Sequence, residues 1–196
     1  MIPIVLASKS AVRARVLAAA GVPFEVIDAQ FDEAAAKGVL RGHAPREVAD
    51  ALAESKALAG AAQRPDALVV GADQTLELDG VLFDKAATLA EARERLIALR
   101  GRSHQLHAAI AVARDRHIVW RELATATLTV RDFTDAYLEA YLGRNQGAAL
   151  ASVGAYELEG EGAQLFTAID GDFFAILGVP LLGLLGFLRD AGALPR

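Results

Sequence analysis

The feature that most restricts this chain is the run Ala67-Leu68-Val69-Val70-Gly71-Ala72, apolar throughout and ended by Asp73. It is too short for an ordinary helix and lacks the polar alternation of a strand facing water, so it reads as a strand buried inside a sheet. Such a strand needs neighbours, and the sequence supplies them. The segments QLHAAIAVA and IVWRELATATLTV flank Arg114-Asp115-Arg116, and in the second Thr125, Thr127 and Thr129 alternate with Ala126, Leu128 and Val130. A period of two beside a short polar turn marks a pair of antiparallel strands. Leu78-Asp79-Gly80-Val81 adds an Asp-Gly hairpin signal just after the buried run.

Helices alternate with these strands. A short apolar run over residues 2–7 gives way to a helix opening at Ser8 or Ser10 and stopped by Gly21, with Pro23 beyond it. FEVID resumes an extended pattern, Pro45 starts the helix REVADALAESKALAGAA, Thr88 caps LAEARERLIALRG, and TDAYLEAYLG forms a short helix ending at Gly143. Residues 29–44 lose periodicity and read as a loop, while SVGAYELEG and AQLFTAI read as strands joined by Gly160 and Gly162. The stretch from Ile176 to Leu188 has only 13 residues, against roughly 20 needed to cross a bilayer. It therefore reads as a buried helix, packed in the core or an interface. No repeat, low-complexity linker or charge block divides the chain, so residues 1–196 form one domain of mixed α/β class.

Composition narrows the partners. There is no cysteine, which removes disulfides and thiolate metal sites. A net charge of −5 disfavours DNA or RNA, whose binding rests on a basic surface, but leaves room for a small phosphorylated ligand met by a local cluster of cations. The first residues lack the basic flank and length of a secretory signal, so a cytoplasmic protein is expected, without a membrane partner.

Two places concentrate chemistry. Ser8-Lys9-Ser10-Ala11-Val12-Arg13 lies where a strand turns into a helix, bringing backbone N–H groups, two hydroxyls and cations to one point. Such a point attracts phosphate, with Arg13 one turn on from Ser10; equally, it is what a serine cap followed by solvated cations looks like. Asp73, at the C-terminal end of the buried run and followed by Gln74, stands where α/β proteins place ligands. It could hold a divalent cation or deprotonate water, or simply begin the hairpin turn. Asp32-Glu33, Lys56 and Lys85 are, taken singly, ordinary solvated charges. His104 and His107, three apart on a strand, face opposite ways and make a poor metal pair. No P-loop, Rossmann, nucleophile-elbow or zincin motif occurs. The residues by themselves lead to a phosphate-binding α/β enzyme.

In order and spacing, these pieces resemble the Maf family of nucleoside triphosphate pyrophosphatases. The likeness begins with the S-x-S-x-x-R opening in LASKSAVRARVLAAAGVPFEV and continues through Asp32-Glu33, ALAESKA, VVGADQTLELDG, FDKA, ALRGRSHQLHAAIAVA, GAYELEG and IDGDFFAILGVPLLGLLGFL. The resemblance implies an elongated mixed sheet flanked by helices, in two lobes around a cleft as in inosine triphosphatases, and usually a homodimer. It also implies roles. Asp73 would be the catalytic base; Ser8, Ser10, Arg13, Lys56 and Lys85 would bind the phosphates; Glu33 and Asp73 would hold Mg²⁺ or Mn²⁺; a nucleoside triphosphate would be the substrate.

Three family positions track substrate choice and fall on Val12, Gln74 and Glu159. Gln74 and Glu159 match the 7-methyl-GTP type, whereas Val12 matches neither that type nor the dTTP/UTP type. An acid at Glu159 suits a base offering N–H donors, as guanine does. Ala86 replaces the usual proline after Lys85, and Ser55 the usual acid before Lys56. Two other readings remain: a dTTP/UTP pyrophosphatase, and a non-catalytic nucleotide-binding regulator of cell division, against which the presence of Asp73 with both lysines argues.

Overall fold

The computed structural model describes residues 2–196. Its strands are β1 (Ile4–Leu6), β2 (Glu25–Val26), β3 (Leu68–Leu78), β4 (Val81–Phe83), β5 (Ser103–Arg114), β6 (His117–Val130) and β7 (Phe166–Asp170). Its helices are α1 (Ala11–Ala19), α2 (Glu33–Val39), α3 (Pro45–Gln63), α4 (Leu89–Leu99), α5 (Asp135–Arg144), α6 (Gln146–Ala151), α7 (Phe173–Ile176) and α8 (Leu181–Asp190). The strands form one seven-stranded sheet in the order β2-β1-β3-β5-β6-β7, with β4 added beside β3. β1 is parallel to β2 and β3; the remaining pairs are antiparallel.

β3 is the axis of the molecule. On one edge it pairs with β5 from Val69 to Glu77 without interruption. On the other it pairs with β1 at Leu68–Val70 and with β4 at Leu76–Leu78, which leaves residues 71–75 without a strand neighbour. The sheet therefore has a window there, and Asp73 is at its middle rather than at the strand's end as the sequence suggested. The run of apolar residues stops at Asp73, but backbone pairing with β5 carries the strand on past it.

Alternation along β3 assigns the faces. Leu68, Val70 and Ala72 join Val16 and Leu17 of α1 and Leu181, Leu184 and Leu188 of α8 in one core; Leu76 and Leu78 join Leu96, Leu99, Leu128, Phe133, Leu138 and Tyr141 in a second. Gln74 falls between these two cores, at the break between two lobes. The opposite face is covered by α3, whose Ala49, Ala53, Ala57 and Ala61 recur every fourth residue and pack on Val69, Ala109, Ala111 and Ala113. Gly71 lies beneath that stripe: a Cβ there would come within 2.3 Å of the Ala53 carbonyl oxygen and 2.4 Å of the Ala57 nitrogen. Only glycine permits an approach this close.

Two segments differ from their sequence reading. Residues 33–39 are helix, capped by Asp32, whose carboxylate accepts from Ala35 N at 2.9 Å. None of its residues is buried, so it has no apolar periodicity to read. SVGAYELEG forms no strand; it follows α6 as a folded loop that leads into a 3₁₀ turn at Glu161–Leu165, and only Phe166–Asp170 is extended. The final apolar stretch is divided between α7 and α8, and α8 leaves Leu182 68% exposed, so it is not buried all round. Among the described residues no helix is long and apolar enough to cross a membrane.

Candidate active site

A cleft of about 860 Å³ opens at the β3 window, within the range that encloses a small-molecule ligand. It is lined by the N-terminus of α1 with Ser10, Val12 and Arg13, by Glu33 and Lys37 of α2, by Lys56 of α3, by Asp73 and Gln74, by Phe83-Asp84-Lys85 and by the 151–159 segment except Ala155. Every residue proposed from the sequence except Ser8 lines it.

The start of α1 presents free donors and no acid to the cleft. Ser10 caps the helix, its Oγ accepting from Arg13 N at 3.4 Å, and no acidic residue occupies the first turn. The N–H groups of a first helical turn have no partner within the helix and carry the positive end of its dipole. Ser8 is buried and faces inward, its Oγ accepting from Ser10 N at 3.3 Å and from Arg13 Nη1 at 3.1 Å.

Arg13 plugs the sheet window. Its Nη1 donates to the Ala72 carbonyl at 2.8 Å, satisfying an edge that lacks a strand, and its Nε donates to the Gly178 carbonyl at 3.1 Å. Gly178, at φ +85°, is packed so closely that a Cβ would lie 3.1 Å from that same Nε. Burial pulls the guanidinium's pKa down, opposed by Asp73 and Glu33. Nη2 has no partner among the described residues, which leaves two donors for a ligand.

On the α3 face, Lys56 Nζ lies 2.6 Å from Asp73 Oδ1 and 2.7 Å from Glu33 Oε2. Two carboxylates from separate elements thus converge on one cation. Burial pushes the Glu33 carboxyl up, but hydrogen bonds from Lys56 and Lys37 outweigh it and hold the group at about 2. Lys37 Nζ also reaches Asp84 Oδ1 at 2.6 Å; burial works against its charge, yet Asp84 and Glu33 raise it to about 12. Lys85 forms no ion pair among the described residues. Burial and its neighbours Arg13 and Lys56 lower its pKa, with Glu33 and Asp73 opposing.

The donor set fits a hard divalent cation. Mg²⁺ and Mn²⁺ are held by one or two carboxylates with substrate phosphates completing the shell, so a full protein cage is not required. Among the described residues no group of three or more His, Asp or Glu gathers as a metal cage.

Of the three positions that the resemblance links to substrate choice, Val12 is on the α1 wall, Gln74 on β3 and Glu159 on the 151–159 wall. Gln74 Nε2 donates to the Ala175 and Ile176 carbonyls at 2.9 and 3.0 Å, so its amide oxygen is the atom left for a ligand. Glu159 is ion-paired to Arg15, a residue the sequence reading passed over, which comes from α1 one turn beyond Val12. The 151–159 wall is pinned from behind. Arg95 Nη1 donates to Val153 O at 2.7 Å and its guanidinium lies 5.5 Å over the Phe83 ring, while Tyr156 OH lies 2.6 Å from His104 Nε2. His107 is on the other face, between Thr125 and Glu77, so the two histidines do not meet.

Comparison with known proteins places this arrangement in context. The family model described as Maf-like protein matches residues 3–191. A Caulobacter vibrioides protein named nucleoside triphosphate pyrophosphatase is 54% identical over 194 residues, covering 98% of this chain and 97% of the relative. Rhizobium meliloti and Brucella abortus proteins named 7-methyl-GTP pyrophosphatase are 46% and 44% identical, covering 97% and 96% of this chain and the same shares of their own length. With a family model spanning almost the whole chain and relatives matched end to end, this chain belongs to the Maf-like protein family.

Proposed function

We propose that the protein is a nucleoside triphosphate pyrophosphatase, hydrolysing the bond between the α- and β-phosphates to release a monophosphate and pyrophosphate. The observation that carries this reading is Asp73: a carboxylate held by Lys56 at 2.6 Å, in a gap in the sheet, beside a helix N-terminus and in a cleft lined by Lys9, Arg13, Lys37, Lys56 and Lys85. Asp73 takes a proton from water as the oxygen attacks the α-phosphorus; the bond from that phosphorus to its bridging oxygen breaks, and pyrophosphate leaves with the electron pair. Ser10 and the first N–H groups of α1, the free side of Arg13, Lys56 and Lys85 hold the phosphates and offset charge gathering on their oxygens. Ser8 acts behind them by fixing Arg13. Mg²⁺ or Mn²⁺, taken by Glu33 and Asp73, would supply charge neutralisation at the phosphates.

The substrate we favour is a guanine-type or 7-methyl-GTP-like nucleotide, in a house-cleaning role. Two acceptors, the Gln74 amide oxygen and the Glu159 carboxylate, face the cleft and match a base edge rich in N–H donors. Relatives named for 7-methyl-GTP support the same choice. The reading includes a cytoplasmic homodimer; the β6 edge from His117 to Ala126, which β7 leaves unpaired, and the exposed Leu182 provide surface for it. Hydrolysis of GTP, 7-methyl-GTP, dTTP and UTP in H₂¹⁸O, with products resolved by ³¹P NMR and mass spectrometry, tests the reaction. The label should enter the monophosphate, and the guanine nucleotides should turn over fastest. Inorganic phosphate as the first product would refute attack at the α-phosphorus.

A further inference from the structure

The charges of the cleft form one connected chain. Asp84 Oδ1 meets Lys37 Nζ at 2.6 Å, Lys37 Nζ meets Glu33 Oε1 at 2.9 Å, Glu33 Oε2 meets Lys56 Nζ at 2.7 Å, and Lys56 Nζ meets Asp73 Oδ1 at 2.6 Å. It runs from the connection after β4, across α2, to the strand at the cleft floor. The inner members already belong to the proposed machinery. Lys37 and Asp84 do not, yet both line the cleft.

Nothing in the packing of α2 accounts for Lys37. The helix buries none of its residues, and an exposed Glu-Lys pair one turn apart adds little to its stability. Nor is Lys37 solvated as Lys9 is: its side chain is 33% exposed against 77%, and it is turned over the cleft between two carboxylates. An ammonium is a compact charge on a flexible stem, able to exchange one oxygen partner for another without moving the backbone.

We propose that Lys37 is a further phosphate-binding residue of this site, held by Asp84 until the terminal phosphates of the substrate, or the pyrophosphate formed from it, displace that carboxylate. The inference rests on the nucleotide-hydrolysis reading above. Phosphate oxygens, with more charge to share than a lone carboxylate, compete well for an ammonium. Along the chain Lys37 lies beyond Lys56 and Glu33 from Asp73, so it meets the part of the triphosphate remote from the attacked phosphorus. Asp84 is then a competitor, and its removal must act opposite to removal of Lys37. A merely structural pair would show the same sign for both.

The test is calorimetric binding of inorganic pyrophosphate to wild type, Lys37→Met, Lys37→Arg and Asp84→Asn, with Mn²⁺ and again in EDTA, alongside nucleotide hydrolysis. Lys37→Met should weaken pyrophosphate binding about tenfold, the worth of one charge-assisted hydrogen bond. Lys37→Arg should keep most of the affinity, and Asp84→Asn should bind several-fold more tightly. Wild-type affinity in Lys37→Met, or weaker binding in Asp84→Asn, would overturn the role of Lys37 alone. So would a wild type that hydrolyses nucleotides without binding pyrophosphate. A wild type that does neither removes this inference together with the proposed function.

Discussion

Two of the cores that meet at β3 are packed by different means. On one face of β3, α3 lays Ala49, Ala53, Ala57 and Ala61 directly on the sheet, with Gly71 facing two of them. Across the cleft, the core around α4 and α5 is filled by leucines with Phe133, Tyr141, Tyr156 and a buried His104. Small side chains bring backbones together and leave no slack, whereas large ones fill a wider space that can relax when one is trimmed. The alanine seam is therefore the positioning device: it sets Lys56 against Asp73 at 2.6 Å. The larger core holds up the opposite wall.

If so, equal losses of stability in the two regions must have unequal effects on chemistry. Gly71→Ala should be the most damaging, because the added methyl meets main-chain atoms that cannot step aside. We expect a stability loss of about 3 kcal/mol and a fall of about 100-fold in kcat, as Asp73 is displaced from Lys56; urea unfolding and steady-state kinetics on one preparation read both. Leu138→Ala, fully buried in the other core, should cost about 2–5 kcal/mol by leaving a cavity. Its turnover per folded molecule should nevertheless match wild type. A kcat loss comparable to that of Gly71→Ala would break the distinction.

Acid should separate the larger core from the cleft as well. Burial depresses His104 from 6.5 to about 4, so its contribution is complete above 6.5 and is lost as pH falls toward 4, up to about 3 kcal/mol. Glu33, held near 2 against 4.5, contributes above 4.5 and loses that contribution only as pH falls below it. Stability should therefore decline first through His104, and a His104→Gln variant should lack the slope between about pH 6.5 and 5 in a denaturation series. The smallest effect belongs to the 151–159 wall, which carries Glu159. Glu159→Gln should leave stability unchanged and lower the kcat/KM ratio of 7-methyl-GTP over UTP about tenfold, since it removes one acceptor and frees Arg15.

The same contrast explains what the sequence disclosed. Buried strands and amphipathic helices carry periodicity, so β3, β5, β6, α3, α4 and α5 could be read from residues alone. α2 could not, because it opens on its Asp32 cap and buries nothing, so it carries no apolar stripe. The 152–160 segment mimicked a strand because its Val153, Tyr156 and Leu158 pack from a loop that backbone pairing never reaches. The Ser8–Arg13 segment and Asp73 stood out from the residues themselves, whereas Glu33, Lys56, Lys85, Val12, Gln74 and Glu159 took their roles only from the resemblance; all of the proposed site residues but Ser8 line the cleft. Lys37 and Arg15 were missed, although Glu33 and Lys37 at i and i+4, and Val12 and Arg15 at i and i+3, share a helical face and could have been followed.

Asp73→Asn tests the central claim most directly. The substitution preserves shape and should leave nucleotide binding measurable by calorimetry, while removing the carboxylate that takes the proton. We predict that pyrophosphate release with Mn²⁺ falls by about 10³-fold or more with KM changed far less. Near wild-type turnover in Asp73→Asn, with the protein folded and nucleotide bound, would contradict the assignment of Asp73 as the base.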